Sequence, residues 1–163
     1  MPEYSLISAP PLAGTDLKFG TCRVVAPADL AIVSFALPLG GEGPAKTALK
    51  SAYGVAVPEV GQSALSRDGS ARLARVSSEQ GFVIFAHATP DAEKTVSTAI
   101  KGRAYTTDQT DVWCGLEVSG PDCRVGRGLC LFAQCLGPVS LQDIRWQARD
   151  AIRSGCRYAS AGF

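Results

Sequence analysis

Apolar residues recur along the chain in short runs separated by glycine, proline and polar clusters, and strand-length runs alternate with stretches at helical spacing. Residues 1–20 carry Pro2, Pro10 and Pro11 without periodicity and are expected to form an extended N-terminal arm. Residues 21–25 form a short run rich in β-branched side chains, Pro27 and Asp29 mark a turn, and residues 30–37 read as a buried strand. Gly40-Gly41-Glu42-Gly43 breaks that strand. Pro44 suits a first helical turn, Ala45, Leu49 and Ala52 follow at helical spacing, and Gly54 is a natural stop.

Residues 55–70, rich in Pro, Gly and Ser, read as loop. Residues 71–76 and 82–86 predict two strands joined by the turn Ser77-Ser78-Glu79-Gln80-Gly81. Thr89 is placed to cap a helix over 90–101, with Asp91 and Glu93 near its positive end and Lys101 near its negative end. Strands over 104–107 and 112–118 flank an Asp108-Gln109-Thr110-Asp111 turn, and Ser119-Gly120-Pro121-Asp122 looks like the opening of another helix. Strand, strand, helix therefore repeats, which disfavours a doubly wound parallel sheet. The pattern predicts an α+β fold of two layers, helices on one face of a mainly antiparallel sheet.

Composition sets few further limits. The 163 residues are 46% hydrophobic and 19% charged with a net charge of +1, an ordinary globular balance that attracts neither nucleic acid nor a membrane surface through bulk charge. No apolar run reaches the ~18 residues of a membrane span, and Glu3 without a basic segment argues against a signal peptide, so a cytoplasmic protein is expected. Six cysteines include no C-x-x-C pair and only one histidine accompanies them, so no metal site is expected and the cysteines are read as reduced.

Candidate chemistry is sparse. His87 ends a strand with no nucleophile motif nearby and reads as a loop histidine. The glycines at 40–43 lack the Lys-Ser/Thr of a phosphate loop and the spacing of a dinucleotide fingerprint, which leaves a strand-to-helix turn. Asp108 and Asp111 are the only close carboxylates in a well-defined turn. Paired acids can serve acid/base chemistry when burial raises one of them, but Asp in turns usually bonds its own backbone. Trp113 reads as core or interface.

The run from Thr107 to Asp122, TDQTDVWCGLEVSGPD, resembles the signature of the gamma subunits of heterotetrameric sarcosine oxidases, roughly T-D-Q-S-D-x-W-x-x-L-x-L-S-G-P-D. Asp108, Gln109, Asp111, Trp113, Leu116, Ser119, Gly120, Pro121 and Asp122 match; Thr110 stands for the commoner Ser and Val118 for Leu. Residues 28–38, ADLAIVSFALP, match as well, and 77–85 stand where the family has a G-P-D-Q-W-like turn, here with Gly81 in place of Trp. The resemblance covers about residues 20–122.

The resemblance implies a fold related to the folate-binding domains of aminomethyltransferases. It also implies a small subunit without catalytic, cofactor-binding or metal-binding residues of its own. Asp108, Gln109, Asp111, Trp113, Ser119, Gly120, Pro121 and Asp122 are then family motif residues with interface or turn roles. The implied partners are the alpha, beta and delta subunits, which hold FAD, FMN, NAD and the tetrahydrofolate site. Together they demethylate sarcosine oxidatively to glycine and pass the one-carbon unit to tetrahydrofolate. A subunit of a related N-methylglutamate dehydrogenase and a stand-alone folate-binding module are the alternatives.

Residues 123–163 are different material. They hold four of the six cysteines, and their six arginines, no lysine and two aspartates give a net +4 against −3 for residues 1–122. Gly126 and Gly128 fall where a helix is expected to continue, each costing about 1 kcal/mol in a helix interior. Such an Arg- and Cys-rich tail is what a GC-rich gene yields when read one nucleotide out of frame; a slip between codons 122 and 138 is one reading, and a divergent but genuine terminus is the other. Resequencing that stretch decides it.

Overall fold

The computed structural model describes residues 8–88, 90–119 and 128–133. Along them run β1 (Asp16–Phe19), β2 (Cys22–Val25), β3 (Leu30–Ala36), α1 (Glu42–Tyr53), β4 (Ser63–Leu65), β5 (Ala71–Arg75), β6 (Gln80–Ala86), α2 (Ala92–Ala99), β7 (Tyr105–Asp108), β8 (Trp113–Ser119) and β9 (Gly128–Ala133). Every strand pairing is antiparallel, in two sheets ordered β4-β5-β6-β3-β7 and β1-β2-β8-β9. The fold is α+β, as the pattern predicts, but the strands divide between two sheets instead of forming one. Two compact units result among the described residues, one built on Leu30–Asp111, the other on Pro10–Asp29 with residues 112–119 and 128–133.

In the first unit, register decides which residues face the helices. Val33 stands opposite Val83, which stands opposite Leu73, while Ala31, Phe85 and Ala71 form the next row. Cross-strand partners share a face, so these residues, with Phe35, make one apolar surface. Ala45 and Leu49 of α1 and Ala92 and Val96 of α2 pack on it, joined by Ile100 just beyond α2. Both helices therefore lie on the same face. Ile32, Ala74 and Ile84 on the opposite face are buried too. That is why β3 reads as a continuous apolar run instead of alternating: it is an interior strand with both faces removed from water.

Glycine is needed at two places in this unit. At Gly81 an added Cβ would meet the Phe35 ring and the Ala74 carbonyl oxygen, so the missing side chain makes room for Phe35. Gly54 ends α1 in the left-handed region, at φ 68°, and its N–H donates to the Lys50 carbonyl at 2.9 Å. The Arg75 guanidinium, at the end of β5, ties down the adjoining loops by donating to the carbonyls of Ser77 (3.1 Å), Ser78 (2.7 Å) and Pro58 (3.4 Å).

The second unit is a four-stranded sheet whose described interior is Val24, Ala26, Cys114 and Leu116, with Leu12 packed against them. The Cys114 thiol donates to the Pro11 carbonyl at 3.7 Å, and burial pushes its pKa up. On the exposed side, Arg23 grips Asp16 through Nε at 2.9 Å and Nη2 at 2.6 Å, a fork-on-carboxylate contact that lowers the Asp16 pKa through its hydrogen bonds.

Four local expectations need correction or fall outside the described residues. The segment expected to be a bare arm contains β1, which pairs with β2 across a tight turn at Gly20; charged Asp16 and Lys18 hid the strand because that edge is exposed. The loop expected at 55–70 contains β4, three residues long and too short to show a period. Glu42 and Gly43, expected in the turn before α1, belong to the helix, while Pro44 lies in its first turn as expected, where its missing N–H costs nothing. Thr89 lies outside the described residues, and the N-cap position of α2 belongs to Asp91, whose side chain makes no cap bond.

Candidate functional site

The turn after β7 carries the residues singled out in the sequence. β7 is an edge strand on β3, with Asp108 opposite Val33 and Tyr105 opposite Ala36. The chain then turns so that the Gln109 N–H donates to the Ile32 carbonyl at 2.8 Å. Half-buried Asp108 accepts a hydrogen bond from the Thr110 N–H at 2.9 Å, an Asx turn that fixes the backbone. Thr110 is buried, and its hydroxyl accepts from the Ile32 N–H at 3.1 Å while pointing its own hydrogen at the Ile32 carbonyl, 3.5 Å away. Both backbone groups of Ile32 are thus satisfied by this turn where β7 gives out.

Thr110 is the residue the sequence reading passed over, noting it only as a replacement for Ser. The signal was present: Ser and Thr both bring a hydroxyl, and a hydroxyl is what the Ile32 N–H requires.

Asp108 and Asp111 do not form a working pair. Asp111 is exposed, Asp108 is held by the Thr110 N–H, and the two carboxylates share no hydrogen bond. Thr106, two residues before Asp108, bonds its hydroxyl to the Glu93 carboxylate and so fastens β7 to α2.

The remaining motif residues belong to the second unit. Trp113 opens β8, half-buried and opposite Ala133 of β9. Ser119 closes β8 opposite Arg23. Gly120, Pro121 and Asp122 lie outside the described residues, as does most of the helix expected after them; where the chain is described again, Gly128–Ala133 is a strand paired with β8.

Other candidates resolve into local structure. His87 Nε2 lies 2.8 Å from Asp91 Oδ1, and its ring packs at a tilt on Phe85 with centroids 5.4 Å apart. This links the end of β6 to the start of α2. At 40–43 the Gly40 N–H donates to the Glu42 carboxylate at 3.1 Å, and bonds from backbone N–H groups hold the Glu42 pKa down. An anion approaching the start of α1 would meet a carboxylate already there. Among the described residues no group of three or more His, Cys, Asp or Glu is placed to hold a metal ion, and no helix is long and apolar enough to cross a membrane.

No family model and no curated protein matches the chain. Among solved structures it is similar to a chain of the heterotetrameric sarcosine oxidase from Corynebacterium sp. U-96 in complex with pyrrole 2-carboxylate, with a TM-score of 0.49 and 18% identity. The match covers 66% of this chain and 55% of that one, so this chain spans about half the length of its solved neighbour.

Proposed function

We propose that the chain is a small non-catalytic gamma-type subunit of a heterotetrameric sarcosine-oxidase complex. In this reading FAD, FMN, NAD and tetrahydrofolate belong to the alpha, beta and delta subunits, and the complex converts sarcosine to glycine. The support is the Asp-Gln-x-Asp and Ser-Gly-Pro-Asp signature between Thr107 and Asp122, taken with what its described side chains do. Asp108 and Thr110 are bonded to backbone groups of their own unit. They build a rigid turn and present no reactive group.

Co-expression with the flavin-bearing subunits of such a complex tests the reading. The expected result is co-elution with flavin absorbance, while the chain alone is colourless and does not turn over sarcosine. Turnover of a methylated amine by the isolated chain would overturn it. Stoichiometric tetrahydrofolate binding by the isolated chain would favour a folate-binding module instead. Assay of the assembled complex with sarcosine and with N-methylglutamate decides between the two parent enzymes.

A further inference from the structure

We draw no further inference here: the strongest candidate, the surface patch at the end of the five-stranded sheet where Leu39, Val60, Val76 and Tyr105 are exposed, carries nothing because no feature of the structure shows what covers it.

Discussion

In the unit built on Leu30–Asp111, two helices cover one face of the sheet, and Phe35, Ile32, Leu49, Leu73 and Ile100 are almost wholly buried. In the unit built on Pro10–Asp29 with residues 112–119 and 128–133, the described interior is Val24, Ala26, Cys114 and Leu116. Burying one large aliphatic or aromatic side chain contributes about 1.5–3 kcal/mol, and alanine or cysteine contributes less. Among the described residues, the first interior therefore holds more large side chains than the second. Strand pairing alone does not set stability: the side-chain volume packed behind the strands does, and in the first unit the helices supply much of it.

The most direct way to break this comparison is to make the same deletion in both units. Leu49→Ala removes a fully buried side chain from between α1 and the sheet, and a loss of about 3–5 kcal/mol is expected. Leu116→Ala acts in the second unit, where the described neighbours Val24, Ala26 and Cys114 are small, and about 2–3 kcal/mol is expected. Urea unfolding of both variants reads the two losses. Equal losses would mean that the two interiors are energetically alike at these positions.

A subtler test adds volume to the core of the first unit. Gly81→Ala drives a methyl group against the Phe35 ring and the Ala74 carbonyl, and overpacking of this kind costs about 1–3 kcal/mol. Phe35→Leu in the same chain should recover part of the loss, because the ring is half of the obstruction. A double-mutant cycle with no coupling between the two positions would show that the backbone moves instead, and that the core is less closely packed than its burial suggests.

Thr110 tests whether the turn after β7 belongs to the same rigid framework. Thr110→Val keeps the shape and removes the acceptor of the buried Ile32 N–H, for an expected loss of about 1–3 kcal/mol. Thr110→Ser restores the hydroxyl and should lose much less. Hydrogen exchange at the Ile32 amide is the specific readout. Unchanged protection in Thr110→Val would show that the hydroxyl does not hold the strand.

Much of the first unit was legible in the sequence because its elements carry strong periods. β3 and the β5–β6 hairpin are apolar runs bounded by turn residues, and Ala45 and Leu49 mark α1 at helical spacing. The α+β class followed from their order. What was missed had weak local signals. β4 is three residues long and exists because Leu65 and Ser63 pair with β5. β1 lies on an exposed edge where charged side chains replace apolar ones. The division into two sheets depends on the pairing of β2 with β8, which lie far apart in sequence, and no window of residues encodes such a contact. At the candidate site, the Asx turn at Asp108 was legible from residue type, whereas the bond from Ile32 to Thr110 spans 78 positions and needed the fold.

The smallest expected effect lies in the loop between β4 and β5, and it sharpens the comparison by being confined to one unit. Asp68 accepts hydrogen bonds from the Ser66 hydroxyl (2.6 Å), the Ser70 N–H (3.1 Å) and the Ser70 hydroxyl (2.8 Å), and these bonds pull its carboxyl down from 3.8 to about 2. Ser66 in turn closes the hairpin, its hydroxyl accepting from the Ala71 N–H at 2.9 Å. A carboxyl depressed in the folded state binds its proton more readily when unfolded, so its contribution is complete above the ordinary value and is lost as pH falls through 2. The group is exposed, and solvent keeps the contribution small. Asp68→Asn should therefore differ slightly from the parent at pH 7, and the difference should shrink between pH 4 and 2. Urea midpoints across that range measure it, with exchange of the β4 and β5 amides reporting the change and the β2–β8 amides unaffected. A difference that stays constant with pH would mean that the loop is held by its backbone turn and not by the charge on Asp68.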